Sequence, residues 1–313
     1  MKKAIILLNM GGADDLSQVE IFLKNMFNDP YILTIKNSKI RSILAWLITK
    51  MRLKSATSNY VVLGGKSPIG DITRSLVAKL NQKIKGGEIK FDYAMNYTPP
   101  FANDTLKKYI NFDEIVLFPL YPQHSSTTIT SSLDGAKKAI SDLGIKANIK
   151  IVDYFYKDEN YNDIIVNNIK NKTLNLDTKD IDLIFSSHSL PKKIIDSGDL
   201  YEKHTKEHVQ ILAGMLNKAG IKFKSISLAY QSRLGPVEWL GPNLNEVLPK
   251  LESKKALIYP ISFCIDNSET DFELSIEYRH VANENRFEYY EVVKAPNDSD
   301  EFVNFIAKKV SLI

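Results

Sequence analysis

Asp182-Leu183-Ile184-Phe185-Ser186-Ser187-His188-Ser189-Leu190-Pro191 is the stretch on which the fold turns. Its apolar run is too short for a helix and runs out into small polar residues, a histidine and a proline. That pattern describes a strand buried on both faces, ending at a polar edge. Seven other runs repeat it: Ala4–Leu8, Phe91–Met95, Glu114–Leu120, Ile149–Tyr154, Ser225–Ala229, Ala256–Pro260 and Glu288–Val293. Amphipathic stretches such as Ser17–Phe27, Asp134–Leu143 and Asp199–Lys218 lie between them and suit crossover helices. The alternation predicts an α/β fold with parallel strands, divided into two groups of four. The join falls near residues 144–150. It gives an N-terminal half, 1–147, and a C-terminal half, 148–313, whose last helix is expected to pack back on the first.

In such sheets ligands sit beyond the carboxyl ends of the strands. His188 stands at one such end, where a neutral imidazole can bind a metal or accept a proton. It reads equally as a hydrogen-bonded structural histidine. Pro260-Ile261-Ser262-Phe263-Cys264-Ile265-Asp266-Asn267-Ser268-Glu269-Thr270 ends another strand. A helix continuing through Glu273 and Glu277 would place carboxylates on successive turns, fit for hard cations or for carrying protons. The plainer alternative is a solvated helix face with Asp266 near the N-cap.

Composition narrows the classes. The 313 residues hold 41 basic and 37 acidic side chains, a balance that does not predict nucleic-acid binding. Cys264 is the only cysteine, so neither an intramolecular disulfide nor a four-thiolate cluster can form within one chain. The N-terminal apolar run is short and enters Gly11-Gly12, a strand and turn rather than a leader. No window approaches 18 apolar residues, so no transmembrane helix is predicted and the cytoplasm is the expected location.

Some motifs imitate other functions. Gly64-Gly65-Lys66-Ser67 lacks the upstream glycine of a phosphate loop, Tyr60 standing in its place, and Pro68 follows directly. Gly11-Gly12 lacks dinucleotide-binding spacing. His204-Thr205-Lys206-Glu207-His208 fits the H-x-x-E-H zinc pattern, with Asp199 and Glu202 as a capping box; the sequence favours a solvated helix face. The segment Ile40–Lys54 is basic, amphipathic and contains Trp46; it suits a membrane surface, a pocket lip or a core-facing helix.

Taken together, the strand-end blocks resemble the ferrochelatases. Leu117-Phe118-Pro119-Leu120-Tyr121-Pro122-Gln123-His124-Ser125-Ser126-Thr127-Thr128 is the strongest match. Phe185–Pro191, Tyr230–Leu240, Pro260–Phe263 with Glu269-Thr270 and Ile276-Glu277-Tyr278, Leu7–Gly12 and Gly64–Pro68 follow the family order. The resemblance implies two similar Rossmann-like, chelatase-like halves with a porphyrin cleft between them, the mouth segment lying in the first. It implies insertion of Fe²⁺ into protoporphyrin IX to give protohaem and two protons, with iron as substrate and no organic cofactor. His188 and Glu269 match the family's catalytic and metal-handling pair. Met10, Tyr97, Tyr121, Ser125, Leu234 and Trp239 match positions near the macrocycle, and Asp266 and Glu273 are left as an auxiliary acidic path. The chain departs from the family at Asn267, where many relatives have His, at Asn96, where many have Arg, and at Thr130, where Gly is usual. It also lacks a cysteine-bearing C-terminal extension, so no iron–sulfur cluster is expected. The departures keep a non-catalytic porphyrin or metal carrier in view, and H-x-x-E-H a zinc hydrolase.

Overall fold

In the computed structural model, which describes residues 1–84 and 87–312, every one of the eight apolar runs is a strand. They are β1 (Lys3–Asn9), β2 (Ile89–Met95), β3 (Glu114–Pro119), β4 (Asn148–Ile151), β5 (Asp182–His188), β6 (Ser225–Gln231), β7 (Lys255–Pro260) and β8 (Tyr289–Val292). Between them run α1 (Val19–Phe27), α2 (Ser38–Val62), α3 (Ile69–Lys83), α4 (Ala102–Leu106), α5 (Ser131–Asp142) and α6 (Glu159–Lys172). The second part of the chain adds α7 (Lys192–Asp196), α8 (Tyr201–Lys218), α9 (Leu244–Val247), α10 (Tyr278–Glu284) and α11 (Asp300–Ser311).

All strands are parallel, and the two sheets repeat one order: β2-β1-β3-β4 and β6-β5-β7-β8. The inner strands are apolar because helices cover both of their faces. Ile5, Ile6 and Leu7 in β1, and Leu183, Ile184 and Phe185 in β5, are wholly buried. Each side chain of this size stabilises the fold by about 1.5–3 kcal/mol. Ala4, Ile6 and Leu8 share a core with Ala136 and Ala139 of α5; Ile184 and Ile258 share one with Leu274 and Tyr278.

The contacts divide the chain into two units. One comprises Met1–Tyr121, Ser125–Tyr154 and Asp298–Ile313, the other Pro122–His124 and Phe155–Asn297. The chain leaves the first unit after Tyr154 rather than at 147, because β4 is bonded to β3 from Glu114↔Asn148 to Leu117↔Ile151. Helix α11 belongs with the first unit: it packs on α3, and Lys79 reaches Asp298 at 2.9 Å.

Helix α2 is not a core-facing helix. Only Ala45, Thr49 and Tyr60 of its 25 residues are buried, while Ile40, Ile43, Trp46, Leu47 and Met51 are exposed. Two of its cations are engaged: Arg41 donates to the carbonyls of Asn28 (2.9 Å) and Ile35 (2.8 Å), and Lys50 pairs with Glu20 (2.7 Å). No described helix is long and apolar enough to cross a membrane.

Candidate active site

Register brings the second sheet's strand ends together. His188 lies opposite Gln231, and Ser186 opposite Pro260, so β5, β6 and β7 deliver His188, Gln231-Ser232 and the 261–268 loop to one edge. There His188 Nδ1 meets Glu269 Oε2 at 2.7 Å. A carboxylate only accepts, so Nδ1 donates and Nε2 of the neutral ring carries the lone pair. Burial alone would push the imidazolium down. The charge and hydrogen bond of Glu269, with Glu273 behind it, outweigh that and hold His188 above its ordinary value.

Glu269 opens a nine-residue π-helix, Glu269–Glu277, where the sequence predicted an ordinary helix. Bonding from i to i+5 widens the turn and brings residues four apart close to one line. Glu269 and Glu273 are partly buried and Glu277 is exposed, so this line runs outward. Asn267 starts the segment: its Oδ1 accepts from Glu269 N (2.8 Å), and its own N–H donates to Thr270 Oγ1 (3.0 Å). The residue that replaces the usual histidine is thus a cap.

Glu273 accepts from Ser232 N (2.8 Å), Ser232 Oγ and Gln231 Nε2 (3.2 Å). Those bonds hold Ser232 at φ 64, a left-handed conformation uncommon outside glycine. Burial, then the neighbouring Glu269 charge, raise Glu273 well above the usual carboxylate range. Behind His188 lie three mutually bonded hydroxyls, Ser187, Tyr201 and Ser262, at 2.6–2.9 Å, and Tyr201 Oη donates to the His188 carbonyl (3.0 Å). Sequence reasoning missed this cluster. Its members are spread over β5, α8 and the loop after β7, so no local pattern unites them.

Asp266 does not join this group. It is 1% exposed and accepts from Asn297 Nδ2 (2.7 Å) and Ala295 N (3.3 Å), with Lys294 at 3.5 Å. Leu234 and Trp239 are partly buried in the segment after β6. Trp239 pairs with Pro191 as an isolated bridge, and its indole N–H has no partner among the described residues.

In the first unit the corresponding strand ends carry Met10, Tyr97, Tyr121 and Ser125. The Met10 carbonyl accepts from Tyr97 N (2.9 Å). Tyr97 Oη donates to Asp29 (2.7 Å), which also accepts from Ser131 Oγ, and Asn96 Nδ2 donates to Ser131 Oγ (2.7 Å). Tyr121 Oη meets Ser132 Oγ at 3.1 Å. Ser125 caps a short π-helical turn, Ser126–Thr130, accepting from Thr127 N at 3.2 Å. Thr130 has ordinary helical backbone there, φ −63, so this turn needs no glycine. Asp29 was also missed; in sequence it is one polar residue of an Asn-Asp-Pro turn.

The expectation of a solvated H-x-x-E-H face is wrong. His204 and His208 are buried, at 4% and 0% exposure, on the inward face of α8. His208 Nε2 donates to Asn162 Oδ1 (2.8 Å), and its Nδ1 accepts from Gln123 Nε2 (2.8 Å). Burial drives His208 down to about 3, so the ring is neutral and both nitrogens are committed. The predicted capping box is half formed: Asp199 accepts from Tyr201 N (2.9 Å), but Glu202 pairs with Lys206. Among the described residues no three His, Cys, Asp or Glu side chains are placed to hold a resident metal. Cys264 is buried, which pushes its thiol up to about 12.

Comparison with known proteins identifies the family. A family model described as Ferrochelatase matches residues 2–312. The ferrochelatase of Campylobacter fetus subsp. fetus is 74% identical over 310 residues, 99% of each chain. That of Campylobacter concisus is 60% identical, covering 99% of this chain and 97% of its own. That of Sulfurimonas denitrificans is 46% identical over 96% of both. Among solved structures, SirB from Bacillus subtilis with Fe³⁺ superposes with TM-score 0.58 over 99% of this chain and 95% of its own, at 11% identity, a likeness of fold. The chain belongs to the ferrochelatase family.

Proposed function

We propose that the chain is a lyase that inserts Fe²⁺ into protoporphyrin IX at the terminal step of haem biosynthesis, releasing two protons and using no organic cofactor or iron–sulfur cluster. The observation that carries this reading is the His188–Glu269 pair at the end of β5. The reaction removes two pyrrole N–H protons as iron–nitrogen bonds form. His188 Nε2 accepts a proton, and Glu269 stabilises the imidazolium that results. Glu273 is held near the proton-bearing side of its titration and takes the next position toward Glu277. Imidazole and carboxylate suit ferrous iron in transit, and two protein donors leave coordination positions for the porphyrin nitrogens. Met10, Tyr97, Tyr121 and Ser125 in the first unit, and Leu234 and Trp239 in the second, are the proposed substrate-contacting residues. The hydroxyls of Tyr97 and Tyr121 are bonded within the protein, so these two residues contribute ring surface rather than acid–base chemistry. Asp266 serves as a brace for the 294–297 segment.

Anaerobic steady-state kinetics with Fe²⁺ test the reading. Fe²⁺-dependent turnover of protoporphyrin IX is expected, and coproporphyrin run alongside decides which of the two is preferred. His188→Ala should lose about 10²–10⁴-fold in kcat while porphyrin binding, followed by fluorescence, persists. Retention of more than about a tenth of the rate would remove His188 from the chemistry.

The same reading makes the protein cytoplasmic with weak contact at the membrane surface through α2, where its sparingly soluble substrate collects. Lys39, Arg52 and Lys54 flank the exposed apolar face, and each basic residue near an anionic surface contributes about 1 kcal/mol, screened by salt. Wild type should co-sediment with anionic vesicles at low salt and not with neutral ones. Trp46→Ser/Leu47→Ser should lose that binding and keep turnover with detergent-dispersed porphyrin. Failure of wild type to sediment would leave α2 without a lipid role.

A further inference from the structure

In the H-x-x-E-H segment both ring nitrogens of His208 are engaged by protein groups, and a buried polar stripe at this spacing is costly unless every group is satisfied. What satisfies it is a loop. Tyr201, His204 and His208 lie on one face of α8, three and four residues apart. His208 accepts from the Gln123 amide, whose nitrogen also donates to the Ile261 carbonyl at 3.0 Å. His204 Nδ1 accepts from the His124 backbone N–H at 3.2 Å. The Pro122 carbonyl accepts from Phe155 N (3.1 Å) and Tyr156 N (3.0 Å), and the Tyr156 ring stacks on His204 with centroids 4.6 Å apart. The Tyr156 carbonyl in turn orients Asn162, accepting from its amide at 2.9 Å, which fixes the Asn162 oxygen on His208. Pro122, Gln123 and His124 are therefore gripped at each residue. On either side in sequence stand Tyr121 and Ser125, two of the proposed substrate residues.

We infer that His208, acting through Gln123, is a positioning residue that fixes the Tyr121–Ser125 loop for porphyrin binding. The inference rests on the substrate roles proposed above for Tyr121 and Ser125. A histidine suits this task because its neutral ring offers one acceptor and one donor on opposite sides. It can thus join Gln123 to Asn162 across a fully buried space. No Leu or Phe could do so, and a lysine would bring an uncompensated charge.

The experiment compares His208→Leu, Gln123→Leu and the double variant, with Tyr121→Ala and Ser125→Ala as controls, in anaerobic steady-state kinetics. Each single clamp variant should raise KM for protoporphyrin about tenfold and leave KM for Fe²⁺ unchanged. The double variant should be no worse than the worse single one, because both substitutions break the same bond. Gln123→Glu, which keeps length but removes the donor, should resemble Gln123→Leu. Should His208→Leu fail to fold, the two Gln123 variants carry the test, since Gln123 can be replaced without emptying the site beside α8. Folded clamp variants with a lowered melting temperature but unchanged porphyrin KM would overturn the inference. If the two controls also leave porphyrin KM unchanged, it is the substrate role of the loop that fails.

Discussion

The two sheets are the same scaffold finished in two ways. β1 corresponds to β5, β2 to β6 and β3 to β7, and a π-helical turn follows both β3 and β7. In the first unit these ends carry Met10, Asn96-Tyr97, Tyr121 and Ser125–Thr130, neutral groups; the Tyr97 hydroxyl is bonded to Asp29 and that of Tyr121 to Ser132. In the second they carry His188, Gln231-Ser232 and Glu269–Glu277, where the Glu269 charge holds His188 above its ordinary value and burial, then that same charge, raise Glu273. The backbone therefore does not choose the chemistry; it chooses where a side chain will stand. Burial and the Asp29 charge raise the Tyr97 phenol in the first unit, but a perturbed imidazole and carboxyl at a strand edge, the groups suited to acid–base work, are found in the second unit's set.

The largest expected effect lies in that set. Glu269→Gln keeps size and removes charge, so turnover should fall about 10²-fold or more. The same change should lower the His188 pKa, because the Glu269 charge is what outweighs burial there. The sign of the stability effect follows. A histidine raised in the folded state contributes stability below its unfolded value and loses it as pH rises through the folded one. Wild type should thus exceed Glu269→Gln in stability at mildly acid pH, with the gap closing on the alkaline side. Ring chemical shifts of His188 and urea midpoints across pH check both statements. An unshifted histidine would mean that the pair is held by geometry alone.

The mirror experiment belongs to the first unit. Tyr97→Phe leaves the Asp29 carboxylate with Ser131 and the Tyr31 backbone N–H (2.7 Å) as partners. Loss of one bond to a buried carboxylate should cost about 1–3 kcal/mol of stability, read from thermal or urea unfolding. Turnover should stay within about twofold, since no transition-state contact is removed. A large loss of kcat with intact stability would make the two units chemically alike, against the contrast drawn above.

How much of this was legible follows from the range of each interaction. Strand positions came from short apolar runs, because burial on both faces of a parallel sheet leaves a local signature in composition. His188, Glu269 and Glu273 were legible because they sit at strand ends or at spacing four. Asp29, Ser232 and the Ser187–Tyr201–Ser262 hydroxyls were not, because each depends on partners tens of residues away. His204 and His208 were read as solvated for a related reason. Lys203, Lys206 and Glu207 give the segment a charged look, while the inward face is set by Gln123 and Asn162, which helix periodicity alone does not reveal.

Asp266 offers the smallest effect and the finest discrimination. As a cleft acid it would matter to turnover; as a brace for residues 294–297 it matters only to folding. Its pKa is raised, first by burial, with the Lys294 charge and the Asn297 bond offsetting part of that. A raised carboxyl contributes stability while protonated and loses it as pH rises through its folded value. Asp266→Asn resembles the protonated form and does not titrate, so the variant should gain on wild type as pH rises from acid to neutral. It retains one acceptor for Ala295 N but meets Asn297 with an amide, so the net difference should be within about 1 kcal/mol. Turnover should remain within about twofold of wild type. A tenfold fall in kcat at unchanged stability would return Asp266 to the proton path and extend the acidic line from the π-helix into the loop that precedes it.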